Sequence, residues 1–204
     1  MIIIATKNLH KLEEYKKILP SDINIKCIND FDLRIDIDEN GNTLLENAFI
    51  KANIVYNALL NKNLINKKDI VISDDTGIFI NYLENGPGVF SARFLNPLPQ
   101  IEKNRIIVDL LKEVKEINDR KAYFKTIIFL ISDNVYKAFE GRVDGYISDK
   151  ISGNHGFGYD SIFIPSEYIN ERLTYADIED KNKISHRYKA IEKLLKYINE
   201  RSER

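Results

Sequence analysis

Residues Ile70-Val71-Ile72-Ser73-Asp74-Asp75-Thr76-Gly77 form a short β-branched apolar run that breaks off into two adjacent carboxylates, a hydroxyl and a glycine. Preceded by the polar Asn66-Lys67-Lys68-Asp69, such a run predicts a buried strand and not a helix, with the acids at its C-terminal end. Neighbours on a strand point to opposite faces, so Asp74 and Asp75 need not share a role, although a bend there could bring both to one cation. The same residues also suit a strand that exits into solvent, because Asp is common in turns.

Ile2 to Ala5 is a second buried-strand candidate. It runs into Thr6-Lys7-Asn8-Leu9-His10-Lys11, after which Leu12, Tyr15, Ile18 and Leu19 mark a helical face. A helix N-terminus at this turn offers N–H groups and the positive end of the dipole, and Thr6, Asn8 and Lys11 add donors, so an anion is the natural ligand. An ordinary turn capped by Asn8, with Lys11 in solvent, fits equally. Cys27 to Ile37 alternates weakly, as a strand would. Thr43 and Glu46 have capping-box spacing ahead of a helix whose apolar face is Leu45, Ala48, Phe49, Ala52, Val55, Tyr56, Leu59 and Leu60. Lys51 lies at the edge of that face, either snorkelling to the surface or lifting its ammonium into a neighbouring site.

Further on, Ile78-Phe79-Ile80 continues extended and Asn85-Gly86-Pro87-Gly88 is a turn by composition. The periodicity predicts a helix over 101–117, with Ile107, Leu110, Leu111, Val114 and Ile117 inward. Tyr123–Ser132 and Val135–Val143 read as an antiparallel hairpin about Asp133-Asn134. Gly153-Asn154-His155-Gly156-Phe157-Gly158-Tyr159-Asp160 suits no regular element. Its glycines allow close backbone approach, an aromatic could stack on a planar group and Asp160 could accept from it; a tight turn with its rings in the core is the alternative. Thr174 to Asp180 reads as a short helix, and Ser185 caps a last helix with Tyr188, Ile191, Leu194, Leu195 and Ile198 inward. His186 and Arg187 would sit in its first turn, where cations are disfavoured unless an anion or carbonyl oxygen is near.

The charge balance, 30 basic against 31 acidic residues in 204, argues against a nucleic-acid partner. No apolar run approaches the roughly 20 residues of a membrane span, and Met1–Ala5 lacks the basic flank of a signal peptide, so a cytoplasmic protein is expected. The single cysteine, Cys27, excludes an internal disulfide and is read as packing. With no repeat or linker, one domain over 1–204 is expected.

Thr6-Lys7-Asn8 with Lys11, Glu46-Asn47-Ala48 with Lys51, Ser73 to Gly77, Pro87 to Arg93, Gly156 to Asp160, and Lys181-Asn182 with Ser185-His186-Arg187 together resemble the inosine triphosphatase family of non-canonical purine nucleotide pyrophosphatases. Six blocks in order span nearly the whole chain. The resemblance implies an α/β fold, an elongated mixed sheet flanked by helices, in two lobes around a central nucleotide-binding cleft. It implies magnesium-dependent hydrolysis of ITP, dITP and XTP to the monophosphate and pyrophosphate, by a homodimer. It further implies that Thr6, Asn8, Lys11 and Lys51 hold the triphosphate, with Lys7 also among the substrate-binding residues, that Glu39, Asp74 and Asp75 surround the metal, and that Asp75 activates water. Phe157 would stack on the base, with Gly158, Tyr159, Asp160, Lys181, His186 and Arg187 completing the pocket and Thr76 touching the nucleotide. Lys7, Thr76 and Ser161 depart from the usual pattern, the last replacing a frequent Pro.

The residue types suit that chemistry. Lysines and a hard cation offset a triphosphate's charge, acids without a His or Cys cluster suit magnesium over zinc, and a carboxylate can deprotonate water. Donor-only groups such as Lys181 and Arg187 fit the 6-keto oxygen of hypoxanthine and would be left unpaired against adenine. Two alternatives are a septum-formation-inhibitor-type pyrophosphatase, whose usual serine- and arginine-rich opening turn differs from Thr6-Lys7-Asn8, and a catalytically inactive nucleotide-binding module.

Overall fold

The computed structural model describes residues 1–31, 33 and 35–202. In chain order its elements are β1 (Ile2–Ile4), α1 (Leu9–Ile18), β2 (Ile25–Cys27), α2 (Leu44–Asn61), β3 (Ile70–Ile80), β4 (Gly86–Pro87), α3 (Gln100–Leu110), β5 (Lys121–Ser132), β6 (Val135–Ile147), β7 (Phe163–Pro165) and α4 (His186–Ser202). The strands form one mixed sheet in the order β2-β1-β3-β5-β6-β7, with β4 paired to β3. β1 runs parallel to both neighbours, Ile2–Ile4 lying opposite Ile25–Cys27 and Ile70–Ile72, whereas β4 and β7 pair antiparallel. This is the α/β class expected.

The chain packs as two compact units. The first comprises Met1–Asp75, Thr126–Gly141 and Arg187–Arg204. Strand alternation sorts its core: Ile3, Val71 and Ile131 pack with Val55 and Leu59 of α2. Ile4, Ile72, Ile128 and Leu130 pack with Tyr15 of α1 and Ala190, Ile191 and Leu194 of α4. Burying each such aliphatic side chain contributes about 1.5–3 kcal/mol. Cys27 is buried and serves as packing.

The second unit comprises Thr76–Lys125 and Arg142–His186. Its core joins Ile78 and Ile80 to Ile107, Leu111, Phe124, Ile147, Phe163 and Tyr175. Arg120 is buried here and donates to the carbonyls of Ile147, Ser148, Leu111 and Val114 at 2.6–3.0 Å. At Gly77 a Cβ would lie 2.4 Å from the Gly88 carbonyl oxygen, so this part of β3 admits only glycine.

Several local expectations change. β3 runs unbroken to Ile80, so the two acids lie within the strand, although they do follow the last residue paired with β1. The strand expected over 27–37 ends at Cys27, because Asp30 turns back to accept from the Cys27 amide at 2.7 Å and starts a 3-10 turn; residues 32 and 34 of that span lie outside the described residues. In α2, Leu44 is buried while Leu45 and Phe49 are exposed, and Leu60 is partly covered. α3 stops at Leu110, which is exposed, and a separate 3-10 turn spans Ile117–Arg120. Thr174–Asp180 forms turns, since Asp177 accepts from both the amide and the hydroxyl of Thr174. The hairpin of β5 and β6 is as expected, with Asp133 and Asn134 both at positive φ.

Candidate functional site

In the first unit, β1 delivers the chain to the start of α1. Thr6 Oγ1 accepts from the Asn8 amide at 3.1 Å, and Asn8 Oδ1 caps the helix by accepting from His10 and Lys11 amides at 3.0 and 3.3 Å. Lys7 Nζ donates to the Ile35 carbonyl at 2.6 Å. One turn into α1, Lys11 Nζ lies 2.9 Å from Asp74 Oδ2. Arg187, from the first turn of α4, donates to the same oxygen at 3.0 Å and also pairs with Glu14 of α1. Both Arg187 and Asp74 are 1% exposed. Burial alone would make Asp74 hard to ionise, but Lys11, Arg187 and Lys51 hold its carboxyl well below the usual carboxylate range. Burial likewise pulls the Lys11 ammonium down, with Asp74 opposing and Lys51 and Arg187 adding to the effect.

Asp75 takes different partners, as its place on the next pleat of β3 requires. Asn47 Nδ2 donates to Asp75 Oδ2 at 3.3 Å, and Lys51 Nζ lies 3.7 Å from Oδ1 and 2.5 Å from Glu39 Oε2. Asn47 and Lys51 are one turn apart on α2, whose position against β3 is fixed by the Ser73 hydroxyl donating to the Ala48 carbonyl. Burial raises the Asp75 pKa. Lys51 and Lys11 oppose that shift, while Glu39 and Asp74 add to it. Thus one strand carries two consecutive acids whose pKa values are shifted in opposite directions.

In the second unit, the segment before β7 turns through Gly153, Gly156 and Gly158, all at positive φ. Asp160 accepts from the Phe157 amide at 2.8 Å and pairs with Lys181, whose Nζ lies 5.3 Å from the Phe157 ring centre and 5.9 Å from that of Tyr175. A Cβ at Gly156 would meet Asp160 Oδ2, so the turn must be glycine there. His186 stacks on Phe124, centroids 4.6 Å apart. Tyr159 is core: its hydroxyl donates to the Ser91 carbonyl at 2.7 Å and burial pushes its pKa up to about 12. Thr76 is a half-buried β3 residue.

The structure therefore brings Lys11, Asp74 and Arg187 together, and separately Glu39, Lys51 and Asp75. It joins Phe157, Asp160 and Lys181 in the second unit, while the donors of Arg187 engage Glu14 and Asp74. Thr6 and Asn8 serve the cap of α1, and Lys7 a backbone carbonyl. Among the described residues no three or more His, Cys, Asp or Glu side chains gather as a metal cluster, so Glu39, Asp74 and Asp75 do not stand as one set. Two participants carried no assignment from sequence, Asn47 and Glu14. Their signal was a polar residue four positions before Lys51 on an apolar face and an acid three after Lys11.

Fold and site together define an open mixed α/β protein with buried cation–carboxylate groups where the acidic strand leaves its parallel neighbour. The chain belongs to the Ham1 family, whose model matches residues 2–197. It is 41% identical over 204 residues to the dITP/XTP pyrophosphatase of Caldanaerobacter subterraneus subsp. tengcongensis, covering 99% of this chain and 98% of that one. It is 39% identical over 193 residues to the dITP/XTP pyrophosphatase of Campylobacter jejuni, covering 94% and 93%. Among solved structures it resembles a HAM1 protein from Coxiella burnetii with TM-score 0.78 and 33% identity, covering 98% of each chain. It also resembles a nucleoside-triphosphatase / dITP/XTP pyrophosphatase from Mycobacterium abscessus, with TM-score 0.71, 28% identity and coverage of 95% and 98%. Among the described residues no helix is long and apolar enough to cross a membrane.

Proposed function

We propose that this protein hydrolyses deaminated purine nucleoside triphosphates, dITP, XTP and ITP, to the monophosphate and pyrophosphate. The observation that carries this reading is Asp75, a buried carboxylate set between Lys51 and Asn47 with a raised affinity for protons. A general base needs that property, and proton abstraction of this kind contributes typically ~10²- to 10⁴-fold. Asp75 takes a proton from water, the water oxygen attacks the α-phosphorus, and the bond from that phosphorus to the oxygen of the departing pyrophosphate breaks. Lys11 and Lys51 offset the triphosphate's charge, with Thr6, Lys7 and Asn8 around the N-terminus of α1. Asp74, held as an anion by Lys11 and Arg187, keeps Lys11 charged and placed.

Magnesium suits the residue types here, because Glu39 and Asp75, both beside Lys51 Nζ, offer hard carboxylate oxygens. Glu39 and Asp75 would hold the ion directly and Asp74 would support them. When bound it would polarise a phosphate oxygen and offset developing charge.

In the second unit, Phe157 offers a face for the purine, and Gly158, Tyr159, Asp160 and His186 frame the segment. Lys181, a donor-only group held by Asp160, suits the 6-keto oxygen of hypoxanthine or xanthine and offers the 6-amino group of adenine no acceptor. Thr76 is assigned to the nucleotide and Arg187 to support of Asp74. The reading extends to a cytoplasmic homodimer, on the family resemblance. Pyrophosphate release from ITP, XTP, GTP, ATP and their deoxy forms with magnesium tests it. Turnover of dITP, ITP and XTP far above ATP is expected; equal turnover of ATP, or none on any of them, overturns it.

A further inference from the structure

Asn104 lies in the middle of α3, is 2% exposed and has its whole amide engaged. Its Nδ2 donates to the Gly158 carbonyl at 2.9 Å and to Ser161 Oγ at 3.0 Å. Its Oδ1 accepts from Gln100 Nε2 at 2.8 Å, and the Gln100 side chain also bonds the Tyr159 hydroxyl. Both Nδ2 bonds therefore fall on the segment that carries Phe157 and Asp160. Gly158 sits at φ +63 with open space where a Cβ would be, so its backbone shape is not enforced by packing around it. The acceptor Ser161 is itself anchored, its carbonyl accepting from the Ser152 amide at 2.9 Å.

We propose that Asn104 is a positioning residue: by holding the Gly158 carbonyl and the Ser161 hydroxyl from α3, it fixes the segment on which Phe157 meets the purine ring. The proposal rests on the assignment of Phe157 and Lys181 to the base. A buried amide whose donors both reach one glycine-rich turn is a restraint from outside that turn, and its loss leaves the Gly158 carbonyl without that donor.

Asn104→Asp keeps the shape and the bond from Gln100 but sets an acceptor against the Gly158 carbonyl. Leu111→Ala, a core cavity in the same unit, supplies a variant destabilised without touching the turn. In Asn104→Asp, amide hydrogen exchange over residues 156–161 should speed up, KM for ITP should rise about tenfold with kcat changed less than about threefold, and ITP-over-ATP preference should shrink. Leu111→Ala should lower the melting temperature and leave all three unchanged. Exchange and KM that move no more in Asn104→Asp than in Leu111→Ala overturn the proposal. If the wild-type protein fails to cleave ITP, the proposed function falls, and exchange over 156–161 still decides whether Asn104 holds the turn.

Discussion

Lys11 grips Asp74 twice: its Nζ lies 2.9 Å from the carboxylate Oδ2 and 3.3 Å from the backbone carbonyl oxygen of the same residue. One ammonium on α1 thereby ties down both the side chain and the main chain of β3 at the point where the acids begin. With Arg187 and Glu14 it completes a buried network of two acids and two bases.

Asp74→Asn should therefore destabilise strongly, because Lys11 and Arg187 would keep their burial and lose their shared counter-charge. Breaking such buried pairs costs about 3–5 kcal/mol. The pH dependence follows from the depressed pKa: the contribution of Asp74 is present above the unfolded value near ~4 and is lost as pH falls toward its lower folded value. Melting temperatures of wild type and variant should differ most at neutral pH and converge in strong acid.

Asp75→Asn should do the opposite to stability while stopping the reaction. The folded pKa of Asp75 is raised, so its ionised form costs stability at neutral pH and that cost disappears as pH falls through the folded value to the ordinary carboxylate range. The variant should melt higher than wild type at pH 7, with the gain gone near pH ~4. Pyrophosphate release should fall by ~10²- to 10⁴-fold. The acid limb of the wild-type rate profile should lie above the usual carboxylate pKa.

Replacing Lys51 with Met removes the ammonium that lies beside Glu39 and Asp75. Its expected effects are a KM for the triphosphate raised about tenfold and an Asp75 pKa raised further, moving the acid limb of the rate profile upward. Initial rates over a pH series read both.

Arg120→Met should destabilise without touching chemistry. Four carbonyls lose a charged donor, each such bond being worth about 1.5–3 kcal/mol at most before the gain from burying methionine. A melting temperature lowered by about 10 °C or more, with KM for ITP unchanged at a temperature where the variant is folded, is the expected result.

Much of this was legible in the sequence because it rests on periodicity. The β-branched runs at Ile2 and Ile70 became β1 and β3, Thr43 capped α2, and the hydrophobic stripe of the last helix faced inward at Ile191 and Leu194. The strand over 27–37 failed because one side chain, Asp30, competes locally for the backbone, and the helix at 174–180 failed for the same reason at Asp177. The full length of β3 is not legible locally because Asp and Gly are poor strand formers alone; the charges of Asp74 and Asp75 are met from α1, α2 and α4, which no local pattern reports. Alternation did foretell that Asp74 and Asp75 take different partners. Which cation goes to which acid was not legible, since Glu14 and Arg187 are brought together from opposite ends of the chain.

The pairing of Phe157 with Lys181 also gives the protein an optical handle. The chain has no tryptophan, so a Phe157→Trp variant would carry its only indole where an ammonium now lies 5.3 Å from the ring. Excited at the red edge of its absorption, that single fluorophore would report on the Gly156–Asp160 segment against a dark background. A base stacking on it should quench the emission, so nucleotide occupancy could be followed in real time with no turnover at all.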